Sequence, residues 1–102
     1  LRSKIMIVTI KELLDVAAKV TDCDRKKLSS SCRKAELVVV RDACYALAKQ
    51  FMSRTDASIS EEFGRERSTI THAMKRHYKR IERDRFYRNI YNKIGKEAGL
   101  ID

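Results

Sequence analysis

The sequence of 102 residues contains no proline and only three glycines, so few positions in it would interrupt a regular helix. It also contains no apolar run near the roughly 20 residues that a membrane-spanning helix needs, and its start has no signal-peptide pattern. These absences predict a soluble, cytoplasmic protein. No glycine-rich segment ends in Lys-Ser or Lys-Thr, which excludes a P-loop ATPase module from this sequence.

Cysteine is also scarce and irregularly spaced. The three cysteines, Cys23, Cys32 and Cys44, form no C-x-x-C pair, which argues against a disulfide framework and a zinc site. His72 and His77 are five residues apart, so on a helix they would point about 140° apart and could not act on one proton together. The acidic residues are scattered rather than grouped for a catalytic metal. We therefore expect no enzymatic activity, no cofactor or metal, and no small-molecule ligand.

Positive charge dominates the composition. The chain has 23 Lys and Arg against 14 Asp and Glu, a formal net charge of +9 and a pI near 9.7. Nine basic residues stand against three acidic ones between positions 65 and 88. The 43% hydrophobic content is enough for one domain with a modest core. The expected partner is acidic, most simply a nucleic acid, with an acidic protein or a membrane surface as alternatives.

Hydrophobic periodicity predicts helices in the first half of the chain. Thr9 and Glu12 have the spacing of a capping box in front of a first helix, and Asp24 can cap a short second one. A long central helix is predicted over residues 34–52, although three valines at 38–40 leave a strand as an alternative there. The expected inner face of this helix consists of Leu37, Val40, Arg41, Cys44, Leu47, Ala48 and Phe51.

The C-terminal part, residues 78–102, is predicted either to form a second basic helix, over about residues 84–95, or to continue the helix before it. Asp84 is a suitable N-cap for it. Its apolar side chains at helical spacing are Tyr87, Ile90, Tyr91 and Ile94. Gly95 and Gly99 predict that the end of this helix is loose.

Residues 55–80 have the organisation of a helix-turn-helix. A short helix over residues 55–63, with Ser58 and Glu61 spaced as a capping box, is followed by Gly64, which can take the left-handed conformation that ends a helix. The next helix is expected to bury Ile70, Ala73, Met74, His77 and Ile81. It is expected to expose Ser68, His72, Lys75 and Lys79. Such a helix suits a major groove lined with base edges and flanked by phosphates.

The segment FGRERSTITHA at 63–73 resembles the signature of the C-terminal DNA-binding domain of the bacterial replication initiator DnaA. That family typically has Phe-Gly-Gly-Arg-Asp-His-Ser/Thr-Thr-Val-Leu-His-Ala. The matching residues are Phe63, Gly64, Arg65, Ser68, Thr69, His72 and Ala73. The departures are Glu66 for Asp, Arg67 for His, Ile70 for Val, Thr71 for Leu, and one missing glycine. ALAKQF at 46–51 is similar to the family's buried helix, and DCDRKKLSSSCRK at 22–34 to its short helix and basic loop.

This resemblance implies a single all-α domain over residues 1–102, with five or six helices and a helix-turn-helix of the Trp-repressor-like group. It also implies sequence-specific binding of double-stranded DNA at a DnaA-box-like site, in replication initiation or its regulation. A free-standing phage or mobile-element regulator with a different DNA site is an alternative, and a basic module that binds an acidic protein is another. The sequence leaves the oligomeric state open.

The resemblance and the side-chain chemistry together predict two groups of contacts. The residues expected to contact bases are Glu66, Arg67, Ser68, Thr71 and, in the minor groove, Arg33. The residues expected to contact phosphates are Arg41, Arg65, Thr69, His72, Lys75, Arg76 and Lys34. Arg67 can make two hydrogen bonds to guanine, or else bind a phosphate. Glu66 either accepts a hydrogen bond from cytosine or stabilises the start of its helix, where the exposed amides and the helix dipole favour an acid.

Overall fold

The structure is a computed structural model that describes residues 9–30 and 32–101, and this part of the chain contains six helices and no strand. The helices are α1 (Ile10–Thr21), α2 (Arg25–Ser29), α3 (Ala35–Phe51), α4 (Asp56–Phe63), α5 (Arg67–Arg83) and α6 (Arg85–Glu97). The predicted all-α class is confirmed, and the three valines lie in a helix. Residues 1–8, 31 and 102 of the predicted single domain lie outside the described residues.

Side-chain caps determine where four of the helices begin, and three of these caps lie where the sequence predicts them. The hydroxyl of Thr9 accepts from the backbone N–H of Glu12, and the Glu12 carboxylate accepts from the backbone N–H of Thr9, both at 3.1 Å. Asp24 caps α2 and Asp84 caps α6 through their carboxylates. These three predictions are confirmed, and each cap contributes about 1 kcal/mol to its helix.

The cap of α4 differs from the prediction. Thr55 is the N-cap, because its hydroxyl accepts from the backbone N–H of Ser58 at 3.1 Å while the Ser58 hydroxyl accepts from the backbone N–H of Thr55 at 3.0 Å. The predicted box of Ser58 and Glu61 is wrong, since both residues lie inside the helix. Gly64 ends α4 in the left-handed conformation (φ 65°, ψ 36°), as predicted.

Helix α3 lies at the centre of the bundle. Its residues 40–48 are all buried, and it contacts each of the other five helices. Fully buried side chains from around it include Leu13, Leu28, Leu47, Ile59, Ile70 and Ile94. Burial of each such side chain contributes about 1.5–3 kcal/mol. Cys44 is also buried there, and its desolvation raises the pKa of its thiol to about 12, so the thiol is a neutral core group.

The end of α6 is more closely packed than the sequence predicts. Gly95 is buried, and a Cβ at this position would lie 2.5 Å from Cδ1 of Ile101, which follows α6, and 3.2 Å from a methyl group of Leu47. The carbonyl of Gly95 accepts from the backbone N–H groups of Leu100 and Ile101, at 2.8 and 3.1 Å. The prediction of a loose helix end at Gly95 is therefore wrong, because the missing side chain leaves room for Ile101 to pack back against α6 beside Leu47 of α3.

His77 connects α5 to α6 inside the bundle. Its Nδ1 lies 2.6 Å from the hydroxyl of Tyr87, and its ring centroid lies 5.1 Å from that of Tyr91. Burial lowers the pKa of His77 and raises the pKa of Tyr87, so both side chains are neutral near neutral pH. The predicted structural role of His77 is consistent with its buried position.

We expect the free energy of unfolding to fall as the pH drops below about 6.5, the pKa of histidine in an unfolded chain. In the unfolded chain His77 takes up a proton there, whereas in the fold its lowered pKa keeps it neutral. Between the folded and unfolded pKa values of His77, the free energy of unfolding falls by up to about 1.4 kcal/mol per pH unit as the pH drops. Above the unfolded pKa, the contribution of the neutral His77 is fully present. Denaturant unfolding at several pH values measures this slope.

The variant His77→Gln should show a flatter dependence on pH than the wild type. The matched control is His72→Gln, which changes the exposed histidine of the same helix and should keep the wild-type slope. An unchanged slope in His77→Gln would show that another group causes the dependence.

Candidate nucleic-acid interface

Helices α4 and α5 and the short turn between them form the helix-turn-helix. The backbone N–H of Arg65 donates to the Ser60 carbonyl at 2.8 Å across this turn. Phe63 packs edge-on against Tyr45 of α3, with ring centroids 4.6 Å apart. The predicted inner residues of α5 are buried, namely Ile70, Ala73, Met74 and His77, while Ile81 is half-buried. The motif is therefore held against α3 by an apolar face.

The opposite face of α5 is exposed along its length. Its exposed residues, with the N-cap, are Glu66, Arg67, Ser68, Thr69, Thr71, His72, Lys75, Tyr78, Lys79, Glu82 and Arg83. Glu66 occupies the N-cap position, but its side chain makes no capping hydrogen bond. The hydroxyl of Thr71 donates back to the carbonyl of Arg67 at 3.2 Å. All four predicted base-contacting residues of this helix start are thus accessible to a partner.

Arg41 holds the loop between α2 and α3. Its guanidinium donates to three backbone carbonyls, those of Leu28 and Lys27 at 2.8 Å and that of Cys32 at 2.5 Å. The residue is only 6% exposed, and burial lowers the pKa of its guanidinium from the ordinary value, although an arginine stays charged. This placement corrects the predicted role of Arg41, because its nitrogens are engaged by the loop instead of facing a phosphate.

The loop is also connected to the turn of the helix-turn-helix. Arg65, in that turn, donates to the carbonyl of Ser30, and its positive charge acts on the side chain of Tyr45. Arg33 and Lys34 are exposed near the end of the loop. The two segments that the sequence predicts to contact DNA are therefore neighbours, although 35 positions separate the bonded residues.

A cleft of about 490 Å³, which we name the arginine cleft, lies where this loop, α3 and α5 meet. Its lining residues are Arg33, Val38, Arg41, Asp42, Tyr45, Arg65, Thr69 and Arg76. The guanidinium groups of Arg33, Arg65 and Arg76 face this cleft, whereas that of Arg41 is bonded to the loop. Asp42 pairs with Arg76, and the cleft keeps a net positive charge. Planar guanidinium groups match the oxygens of a phosphate, so the cleft has the chemistry of an anion site.

Asp42 is a residue of the cleft that the sequence analysis did not single out. Its carboxylate accepts from Nε and Nη2 of Arg76 at 2.8 and 2.9 Å, and Nη1 of Arg80 lies 3.7 Å away. The side chain is 1% exposed. The hydrogen bonds raise the pKa of Arg76. The sequence signal that could have identified it is an acid within the mostly apolar stretch of residues 37–48, since a buried carboxylate requires a cationic partner.

Two other kinds of site are absent from the described ranges. Nowhere in residues 9–30 and 32–101 do three or more His, Cys, Asp or Glu side chains come together as metal ligands. Within the same ranges, no helix combines the length and the apolar character that crossing a bilayer requires.

We expect Arg41→Met to lower the free energy of unfolding by about 2–4 kcal/mol, because three partly buried carbonyls would lose charged donors. Arg67→Met, at an exposed position of α5, should change it by less than about 0.5 kcal/mol. Urea unfolding of both variants measures the difference. Equal effects would show that Arg41 does not hold the loop.

Comparison with known proteins agrees with this geometry. Residues 10–76 match the family described as the bacterial DnaA protein helix-turn-helix, and this range includes every residue that lines the arginine cleft. The chain is 25% identical over 89 residues to the chromosomal replication initiator protein DnaA of Nautilia profundicola. That alignment covers 86% of this chain and 20% of the relative, so the chain spans about a fifth of that protein's length. Because the family match extends over more than half of its residues, the chain belongs to the bacterial DnaA helix-turn-helix family of DNA-binding domains.

Proposed function

We propose that this domain binds double-stranded DNA sequence-specifically at a DnaA-box-like site, in replication initiation or its regulation. The observation that carries the proposal is the arginine cleft, which joins the basic loop to the start of α5. A duplex presents phosphates beside its grooves, so a positive cleft next to an exposed helix start fits that arrangement. The matching relative is named as a replication initiator, which supports the biological role.

In the proposed complex, the start of α5 enters the major groove. A helix of 17 residues is about 25 Å long, roughly twice the width of that groove, so only its first turns face base edges. The proposed base contacts from this helix are Glu66, Arg67, Ser68 and Thr71, and Arg33 of the loop reaches the minor groove. The proposed phosphate contacts are Lys34, Arg65, Thr69, His72, Lys75 and Arg76.

The departures from the family signature concern the same helix start. Glu66, Arg67 and Thr71 all differ from the typical family residues, and all three are exposed. Since these positions face the bases in the proposed complex, the preferred DNA sequence of this domain differs from a standard DnaA box. Selection of bound duplexes from a random pool would identify it.

We expect duplex affinity to depend steeply on salt. About four cationic phosphate contacts, from Lys34, Arg65, Lys75 and Arg76, give a slope of log K against log salt of about −3 to −4, because each contact releases condensed counterions. Fluorescence anisotropy titrations at several salt concentrations measure the slope. A slope near zero, or tighter binding of single-stranded DNA than of any duplex at equal salt, would contradict the proposed function.

A second experiment tests base reading by Arg67. A guanidinium favours the paired acceptors of guanine, so Arg67→Ala should lose about 1–3 kcal/mol of binding free energy at the selected site. On scrambled duplex it should lose only the contribution of one charge. Lys75→Ala, the matched control on the same helix face, should weaken binding to both duplexes nearly equally. If Arg67→Ala weakens binding to the selected duplex and to the scrambled duplex by the same factor, Arg67 contacts a phosphate and not a base.

A further inference from the structure

We propose that Asp42 is a positioning residue for DNA binding, which holds Arg76 in the orientation that allows it to bind a backbone phosphate at the arginine cleft. The proposal rests on the DNA-binding function proposed above. It concerns an acid on α3 that contacts the DNA-facing helix α5 from the inside.

Stability alone does not account for a carboxylate at this position. Asp42 is 1% exposed, and removing a carboxylate from water carries a large free-energy cost that an ion pair offsets only with favourable geometry. An apolar side chain in the buried run of α3 would avoid that cost. The acid therefore points to a requirement other than packing, and the groups it contacts are two arginines of α5.

The contact with Arg76 constrains a side chain that reaches the surface. Asp42 engages Nε and Nη2 of Arg76, whereas Nη1 makes no hydrogen bond to any residue in the described part of the chain. A guanidinium is planar and rigid, so fixing two of its nitrogens also fixes the direction of the third. The side chain of Arg76 is still 41% exposed and lines the cleft with Arg65 and Thr69. An arginine that is already ordered loses less conformational entropy when it binds a phosphate.

If Asp42 positions Arg76, removing Asp42 weakens DNA binding, whereas simple electrostatics predicts that it tightens binding. Replacing an acid near a DNA-binding surface adds one positive charge and, by charge alone, tightens binding. The same outcome would follow if Asp42 withheld Arg76 from DNA. The sign of the change in affinity therefore separates positioning from both other roles.

The experiment compares Asp42→Asn with Asp15→Asn. Both changes remove one negative charge, and Asp15 forms an exposed ion pair with Arg25 away from the cleft. On the selected duplex at constant salt, we expect Asp42→Asn to raise the Kd about three- to tenfold and Asp15→Asn to leave it unchanged or slightly lower. An unchanged or lower Kd for Asp42→Asn would overturn the positioning role alone. Failure of the wild-type protein to bind any duplex would overturn the proposed function together with it.

A second variant covers the case in which Asp42→Asn does not fold. Arg76→Lys keeps the charge but cannot contact Asp42 through two nitrogens of a fork, so its Kd should also rise about three- to tenfold. An unchanged Kd would mean that only the charge of Arg76 counts, which overturns the proposal.

Two further measurements distinguish positioning from a general structural effect. In nuclear magnetic resonance spectra of the free protein, the Nε–H signal of Arg76 should exchange slowly with solvent in the wild type and rapidly in Asp42→Asn. In a double-mutant cycle, Asp42→Asn combined with Arg76→Gln should bind DNA no more weakly than Arg76→Gln alone. Additive losses, or a Nε–H signal that Asp42→Asn leaves unchanged, would show that Asp42 acts on DNA binding through another group.

Discussion

Two opposite charges at neighbouring positions of α3 determine how the rest of this surface is arranged. A buried charge must be compensated by hydrogen bonds or by a counter-charge, and α3 is buried along most of its length. Arg41 meets that requirement with three carbonyls around the loop that precedes α3. Asp42 meets it with Arg76 of α5. One helix therefore contacts both the basic loop and the helix proposed to face DNA.

The division of α5 into two faces connects the core to the function. Its inner face packs on α3 and, through His77, on Tyr87 of α6, while its outer face carries the residues proposed to contact DNA. Phosphate contacts supply most of the affinity and its salt dependence, whereas base contacts supply the choice of site. In the proposed complex, a domain with a net charge of +9 can therefore change its preferred sequence at Arg67 without losing its general attraction to DNA.

Helices and caps were predictable where their causes are local. The 3.6-residue period of α5 is a property of neighbouring residues, so its buried side, including Ile70 and Met74, could be read directly. The box of Thr9 and Glu12 is equally local. The capping box predicted for Ser58 and Glu61 was wrong because the same spacing also occurs at Thr55 and Ser58. The backbone conformation at the start of α4 determines which pair forms the box. The residues of the site came from the family resemblance, whose signature falls within the helix-turn-helix.

The sequence by itself determined the helical class, the excess of basic residues and the two faces of α5, since each follows from composition or from periodicity along one segment. Tertiary structure decided the roles of Arg41, Asp42 and Gly95. Arg41 contacts residues 9–14 positions away, Asp42 contacts one 34 positions away, and Gly95 leaves room for the side chains of Ile101 and Leu47. Such roles depend on which groups the fold brings together, because a charge or a missing side chain acts only on its spatial neighbours.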